Sequence, residues 1–348
     1  MCRVLLVASA LLLVTGGPAL AGPARLNSRL AENQRRQSTV LAGLERHRAL
    51  ARLDLQFCGS GSESQVSRGP LGCGFPVVGD HPWLVALGFQ GEAGAGRQAR
   101  FMCSGALISD QHVVTSARCA LGVGNLRMTT ARLGEYDFHT KRDCLWYAPE
   151  QCTESFDLGV SGIVVHPKFK RHGSDASIFD VAVVKLAAPA RPRHGVLPIC
   201  LPMFPLRRPP HRQMALTLGL SGGKQPAGDA AATCCQCDRD RSATSHVMDQ
   251  QKLDVFNESA AARPDCQYRL LSERPGLPAR CLGAGTPCLA DLGGPLVAAD
   301  RFGSSFYLLG VASVRPASSE CGRPGAAVTY APVQPHVTWI LDSIERLT

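Results

Sequence analysis

After residue 14 the chain has no continuous apolar run near the ~18 residues that a membrane-spanning helix needs, so the mature sequence is expected not to cross a bilayer. No internal repeat is apparent, which argues against a repeat architecture. Lysine is scarce, with 6 residues against 31 arginines. That imbalance reflects codon bias as much as binding, and a formal charge of +9 is moderate for 348 residues. A nucleic-acid partner is not expected, and an anionic surface or glycan is a secondary reading.

The amino terminus sets the expected compartment. Arg3 precedes the apolar run from Val4 to Val14, and Ala19-Leu-Ala21 offers a small-x-small cleavage site after Ala21. Cys2 would leave with this signal, so 14 of the 15 cysteines remain, an even number suited to an oxidising space. A secreted chain follows. The sequon Asn257-Glu-Ser259 then marks an exposed loop and a glycosylation acceptor.

Short β-branched runs separated by turn signals fill the rest: Trp83 to Phe89, Val160 to Val165, Val181 to Leu186, Met214 to Leu218 and Phe306 to Val311. They predict an all-β sandwich or barrel. After Pro335, Val337, Ile340, Leu341, Ile344 and Leu347 recur at helical spacing and predict a closing helix. Upstream, residues 22–76 form an arm of different character. Arg25 to Leu55 is rich in arginine and leucine, with Leu26, Leu30, Leu41 and Leu44 near helical intervals, whereas residues 57–72 are rich in Gly and Ser and read as a linker. The leucine stripe is broken by Asn33 and Gln37, which favours a solvated, partly helical segment over a coiled-coil helix.

Three blocks carry the chemistry. The first runs from Cys103-Ser-Gly-Ala-Leu-Ile to Val113-Val-Thr-Ser-Ala-Arg-Cys119, the second is Asp180-Val-Ala-Val-Val-Lys-Leu186, and the third is Cys288-Leu-Ala-Asp-Leu-Gly-Gly-Pro295. In this order and with these gaps they resemble the blocks of trypsin-like serine proteases. That resemblance implies two packed six-stranded antiparallel β-barrels over residues 77–348, closed by the C-terminal helix. Leu133-Gly-Glu-Tyr-Asp137 followed by Cys144 and Cys152 narrows it to the arthropod clip-type (easter-like) group, although no six-cysteine clip domain is recognisable here.

The resemblance also exposes departures. Active relatives carry serine where Leu292 stands and histidine where Arg118 stands, while Asp180 falls on the triad aspartate. A leucine side chain cannot attack a carbonyl. The base must accept and return a proton near neutral pH, and a guanidinium, which stays protonated far above neutral pH, does neither. Ala290 replaces an oxyanion-hole glycine. At the specificity pocket, Thr286 takes the base position, Arg315 the entrance glycine and Val328 a wall glycine. His112 lies too early in its segment to replace the missing imidazole.

By resemblance, Cys103 pairs with Cys119, Cys266 with Cys281, Cys288 with Cys321 and Cys144 with Cys152. Cys200 resembles the cysteine that tethers a pro-segment, with Cys73 as its expected partner and Cys58 as the rival. Cys234, Cys235 and Cys237 have no family counterpart, and as a metal site they lack a fourth ligand and suitable spacing. No cofactor or metal is implied. Active relatives are cut after a basic residue before Ile-Val-Gly-Gly, and the new terminus pairs with the aspartate beside the nucleophile. Here no basic residue precedes Val77, and Arg68 lies before Cys73, so a zymogen-like state is expected around Asp291.

The expected function is that of a catalytically inactive homologue. What the family implies is a cofactor or regulator of extracellular protease cascades, with proteases or prophenoloxidase-type zymogens as partners. A carbohydrate- or microbial-surface-binding protein and an unorthodox serine-type endopeptidase are the alternatives.

Overall fold

A computed structural model of the chain describes residues 44, 46–60, 78–91, 98–145, 148–171, 178–203, 214–219, 249–254, 268–271, 291–299, 305–314 and 327–348. The β-branched runs become strands. β1 (Leu84–Gly91), β2 (Arg100–Leu107), β3 (His112–Thr115), β4 (Leu126–Leu133), β7 (Phe156–Val165) and β8 (Ala182–Leu186) close into a barrel in the order β1-β2-β3-β8-β7-β4. Between β4 and β7, β5 (Arg142–Leu145) and β6 (Ala148–Glu154) pair as a separate hairpin bonded by Cys144–Cys152. A second six-stranded antiparallel sheet runs in the order β10-β9-β12-β13-β14-β11. Its strands are β9 (Met214–Gly219), β10 (Asp249–Asp254), β11 (Tyr268–Leu271), β12 (Pro295–Ala299), β13 (Phe306–Val314) and β14 (Ala327–Pro332).

Burial explains why the runs read as they do. Val183 and Val184 are neighbours on β8 and both are fully buried, because one faces the barrel interior and the other lies under covering structure. Helix α2 (Val337–Arg346) supplies part of that cover against β8. Its Val337, Ile340, Leu341 and Ile344 recur at i, i+3, i+4 and i+7 and are all buried, each burial being worth roughly 1.5–3 kcal/mol. Pro335, in the 3-10 turn before it, fixes the entry.

The arm departs from expectation. Residues 46–60 are docked on the β-rich body. Arg48–Arg52 forms a 3-10 turn, His47 Nε2 lies 3.1 Å from Asp342 Oδ1 on α2, and Leu50, Leu53 and Leu55 pack against the core. The linker expected from residue 57 is corrected at its start. Gly59 N–H donates to Pro198 O at 2.7 Å and Gly59 O accepts from Phe306 N–H at 2.8 Å, in a left-handed conformation where a Cβ would collide with the Phe306 carbonyl. This pairing decides the tether. Cys200 bonds Cys58, with Cα atoms 4.9 Å apart, and not Cys73 as expected, because the clamped backbone at residue 59 delivers the adjacent cysteine to that position. Cys73, Cys266, Cys281, Cys288, Cys321, the cluster 234–237, Asn257 and the signal region lie outside the described residues.

Candidate functional site

The site lies where the closed barrel meets the second sheet. From the barrel side, Ser116 caps the short helix α1 (Ala117–Ala120) by accepting from Cys119 N–H at 3.2 Å, and the Cys103–Cys119 disulfide ties α1 to β2. Arg118 is thereby placed over Asp180, two residues before the buried strand β8. The Arg118 backbone N–H donates to Asp180 Oδ1 at 2.9 Å, and its Nε–H donates to Oδ2 at 3.0 Å. From the other sheet, Ser313 near the end of β13 donates its hydroxyl to the same Oδ2 at 2.5 Å. Asp180 has no exposed surface. Burial pushes its carboxyl above the ordinary range, opposed by Ser313 and by the amide and guanidinium of Arg118.

The turn at 291–294 completes the arrangement. Leu292 O accepts from Ser104 N–H at 3.0 Å, and Cys119 Sγ lies 3.3 Å from that oxygen. The Leu292 side chain is half-buried against the core. Gly293 sits at φ 75°, and a Cβ there would collide with the Thr115 hydroxyl and the Ser104 carbonyl. Asp291 is buried, and the Ser104 hydroxyl donates to its Oδ2 at 2.5 Å. Ser104 is a site residue that sequence reasoning missed. It occupies a variable place in the Cys-x-Gly block, and only the fold brings it to a residue 187 positions away.

Arg118, Asp180 and Leu292 therefore converge as their sequence blocks suggest. Of the pocket and oxyanion positions, Thr286, Ala290 and Arg315 lie outside the described residues, and Val328 is seen as backbone only, paired with Leu270 across β11 and β14. His112 is structural. Its Nδ1 shares a hydrogen bond with Ser109 Oγ at 2.9 Å, on a strand whose partner residue is Lys185. No cluster of metal-ligating residues occurs among the described residues, and no described helix is long and apolar enough to cross a membrane.

The sequence profile of one family, described as Trypsin, matches residues 74–340. The chain belongs to the trypsin family. Phenoloxidase-activating factor 3 of Holotrichia diomphalia is 29% identical over 271 residues, covering 77% of this chain and 70% of that protein. Melanization protease 1 of Drosophila melanogaster is 25% identical, covering 76% of this chain and 63% of its own length. Serine protease grass of Drosophila melanogaster is 25% identical, covering 82% and 70%. The crystal structure of the Drosophila Grass clip serine protease of the Toll pathway superposes with a TM-score of 0.64 at 23% identity, covering 86% of this chain and 78% of that one. The trypsin-like chain is thus similar to arthropod clip-type proteins, its relatives include an insect melanization protease, and it shares its fold with a clip serine protease of the Toll pathway.

Proposed function

We propose that this trypsin-family chain is a secreted, non-cleaving protease homologue that acts as a protein-binding cofactor or regulator in an extracellular protease cascade. One observation carries the reading: at the position of the catalytic base stands a guanidinium whose Nε lies 3.0 Å from Asp180. An arginine so held is a permanent cation and takes no proton from a nucleophile. Leu292 supports the same conclusion from the other side, since its side chain offers no lone pair to an acyl carbon. Loss of the nucleophile or base typically removes ~10⁶ in turnover. The Ser104 hydroxyl on Asp291 supports a loop held without a newly cut chain terminus.

With chemistry removed, the loops around the former cleft are free to serve recognition. The phenoloxidase-activating and melanization relatives favour proteases or their zymogens as partners. The deciding experiment is labelling of the secreted chain with a fluorophosphonate probe, before and after limited proteolysis. No labelling and no peptide cleavage are expected. Stoichiometric labelling would overturn the reading in favour of an unorthodox endopeptidase.

A further inference from the structure

We propose that Arg118 anchors a carboxylate-binding site that receives an acidic polypeptide segment of a partner protein, an inference that rests on the non-cleaving reading above. A guanidinium has five N–H donors. Here Nε is spent on Asp180, while the two terminal nitrogens meet no acceptor among the described residues. The side chain is 26% exposed, so the group is held in place by its surroundings and still reaches solvent. Asp180 is entirely covered, so an incoming anion meets the cation and not the carboxylate behind it. This fixed, planar fork with free donors suits a second carboxylate, which would form paired, charge-assisted hydrogen bonds.

The surroundings carry the same sign. The Arg118 Cζ lies 5.7 Å from the centre of the Phe169 ring. On either side of Phe169, Lys168, Lys170 and Arg171 are exposed, and none forms an ion pair among the described residues. Phe169, which these exposed cations flank in sequence, lies beside Arg118, and Lys168 Nζ lies 5.5 Å from the centre of the Phe179 ring. The backbone oxygen of Leu292 lies 3.3 Å from Sγ of Cys119, the residue that follows Arg118 on α1. One held, partly buried fork fits a single planar carboxylate on a peptide better than a sulfated glycan, which needs only exposed cations. The net charge of +9 steers such a partner inward, in a salt-dependent way.

The test uses the full chain labelled with ¹⁵N-arginine, titrated with acetyl-Leu-Glu-Asp-Leu-amide and, separately, with its Gln/Asn twin. The acidic peptide is expected to shift the Arg118 Nε–H resonance, and the neutral twin is not. Arg118→Gln should weaken binding about ten- to hundredfold, the range for losing a hydrogen bond to a charged group. The triple surface variant Lys168→Gln, Lys170→Gln, Arg171→Gln should fold normally, bind more weakly and show a reduced salt dependence. Should Arg118→Gln fail to fold, the wild-type resonance and the triple variant decide the matter. An unmoved Arg118 resonance, an equal response to the neutral twin, or unchanged affinity in Arg118→Gln overturns the site. Binding of a heparin hexasaccharide that displaces the peptide and ignores Arg118→Gln would assign the exposed cations to glycans and also overturn it. Fluorophosphonate labelling reads the non-cleaving state independently, so an unlabelled chain that ignores the acidic peptide removes this inference alone.

Discussion

Arg118 closes both oxygens of Asp180. Its backbone N–H reaches Oδ1 at 2.9 Å and its Nε–H reaches Oδ2 at 3.0 Å, while Ser313 adds a third donor at 2.5 Å. A wholly buried carboxylate left without donors would cost several kcal/mol or be driven to its neutral form. In the non-cleaving reading proposed above, the arginine at position 118 takes the place of a base and supplies a counter-charge in one step. Arg118 and Asp180 form an ion pair within the closed barrel, which Ser313 joins from the second sheet.

That pairing sets the first expectation. Arg118→Ala should destabilise the fold by about 3 kcal/mol, the lower end of the range for breaking a buried pair, because Ser313 and the backbone N–H still serve Asp180. Denaturant unfolding at neutral pH measures it. A loss of about 0.5 kcal/mol or less, typical of surface substitutions, would mean that the guanidinium contributes nothing there.

Restoring the nucleophile alone should restore nothing. In Leu292→Ser, position 118 still holds a guanidinium, paired with Asp180, that accepts no proton. Peptide turnover in this single variant is expected to stay at background, and measurable turnover would show that another group acts as base.

Acid should weaken the fold through two buried histidines. Burial, with Lys185 and Arg52, holds His112 down to about 4 from 6.5, and burial, with His336 and Lys168, does the same to His166. Both are neutral in the folded chain at pH values where the unfolded chain already takes up protons. Their contribution is therefore complete above about pH 6.5 and is lost as the pH falls toward about 4. Urea unfolding across that window checks the sign, and His112→Gln should flatten part of the slope.

Glu135 acts in the opposite direction. Burial raises its carboxyl from 4.5 to about 7 despite Arg132 at 3.3 Å, and nearby Asp143 adds to the rise. Between these values the folded chain holds a proton that the unfolded chain has released. Its stabilising share is present below about pH 4.5 and is lost as the pH rises toward about 7. Glu135→Gln should remove that component and leave the acid sensitivity of the histidines steeper.

The arm's tether is a further target. Cys58 and Cys200 are 142 residues apart, so their bond restricts a long loop in the unfolded chain. Cys58→Ser should lower stability by about 2–5 kcal/mol. Peptide mapping under non-reducing conditions should recover the two cysteines in one fragment.

The sequence by itself determined the identity of the side chains at 118, 180 and 292, and an arginine at 118 accepts no proton near neutral pH. It also determined the β-rich body and the closing helix, because alternation, β-branching and the i, i+3, i+4, i+7 recurrence are local patterns. It did not reveal which cysteine meets Cys200, since Cys58 and Cys73 carry the same chemistry and only the clamp at Gly59 separates them. Nor did it show that Ser104 would reach Asp291, or that the arm from residue 46 would lie docked on the body and not in solvent. Those contacts join positions far apart in the chain. They depend on how two sheets meet, and tertiary structure alone decided them, because hydrogen-bond geometry is fixed to tenths of an ångström while sequence spacing constrains distant residues hardly at all.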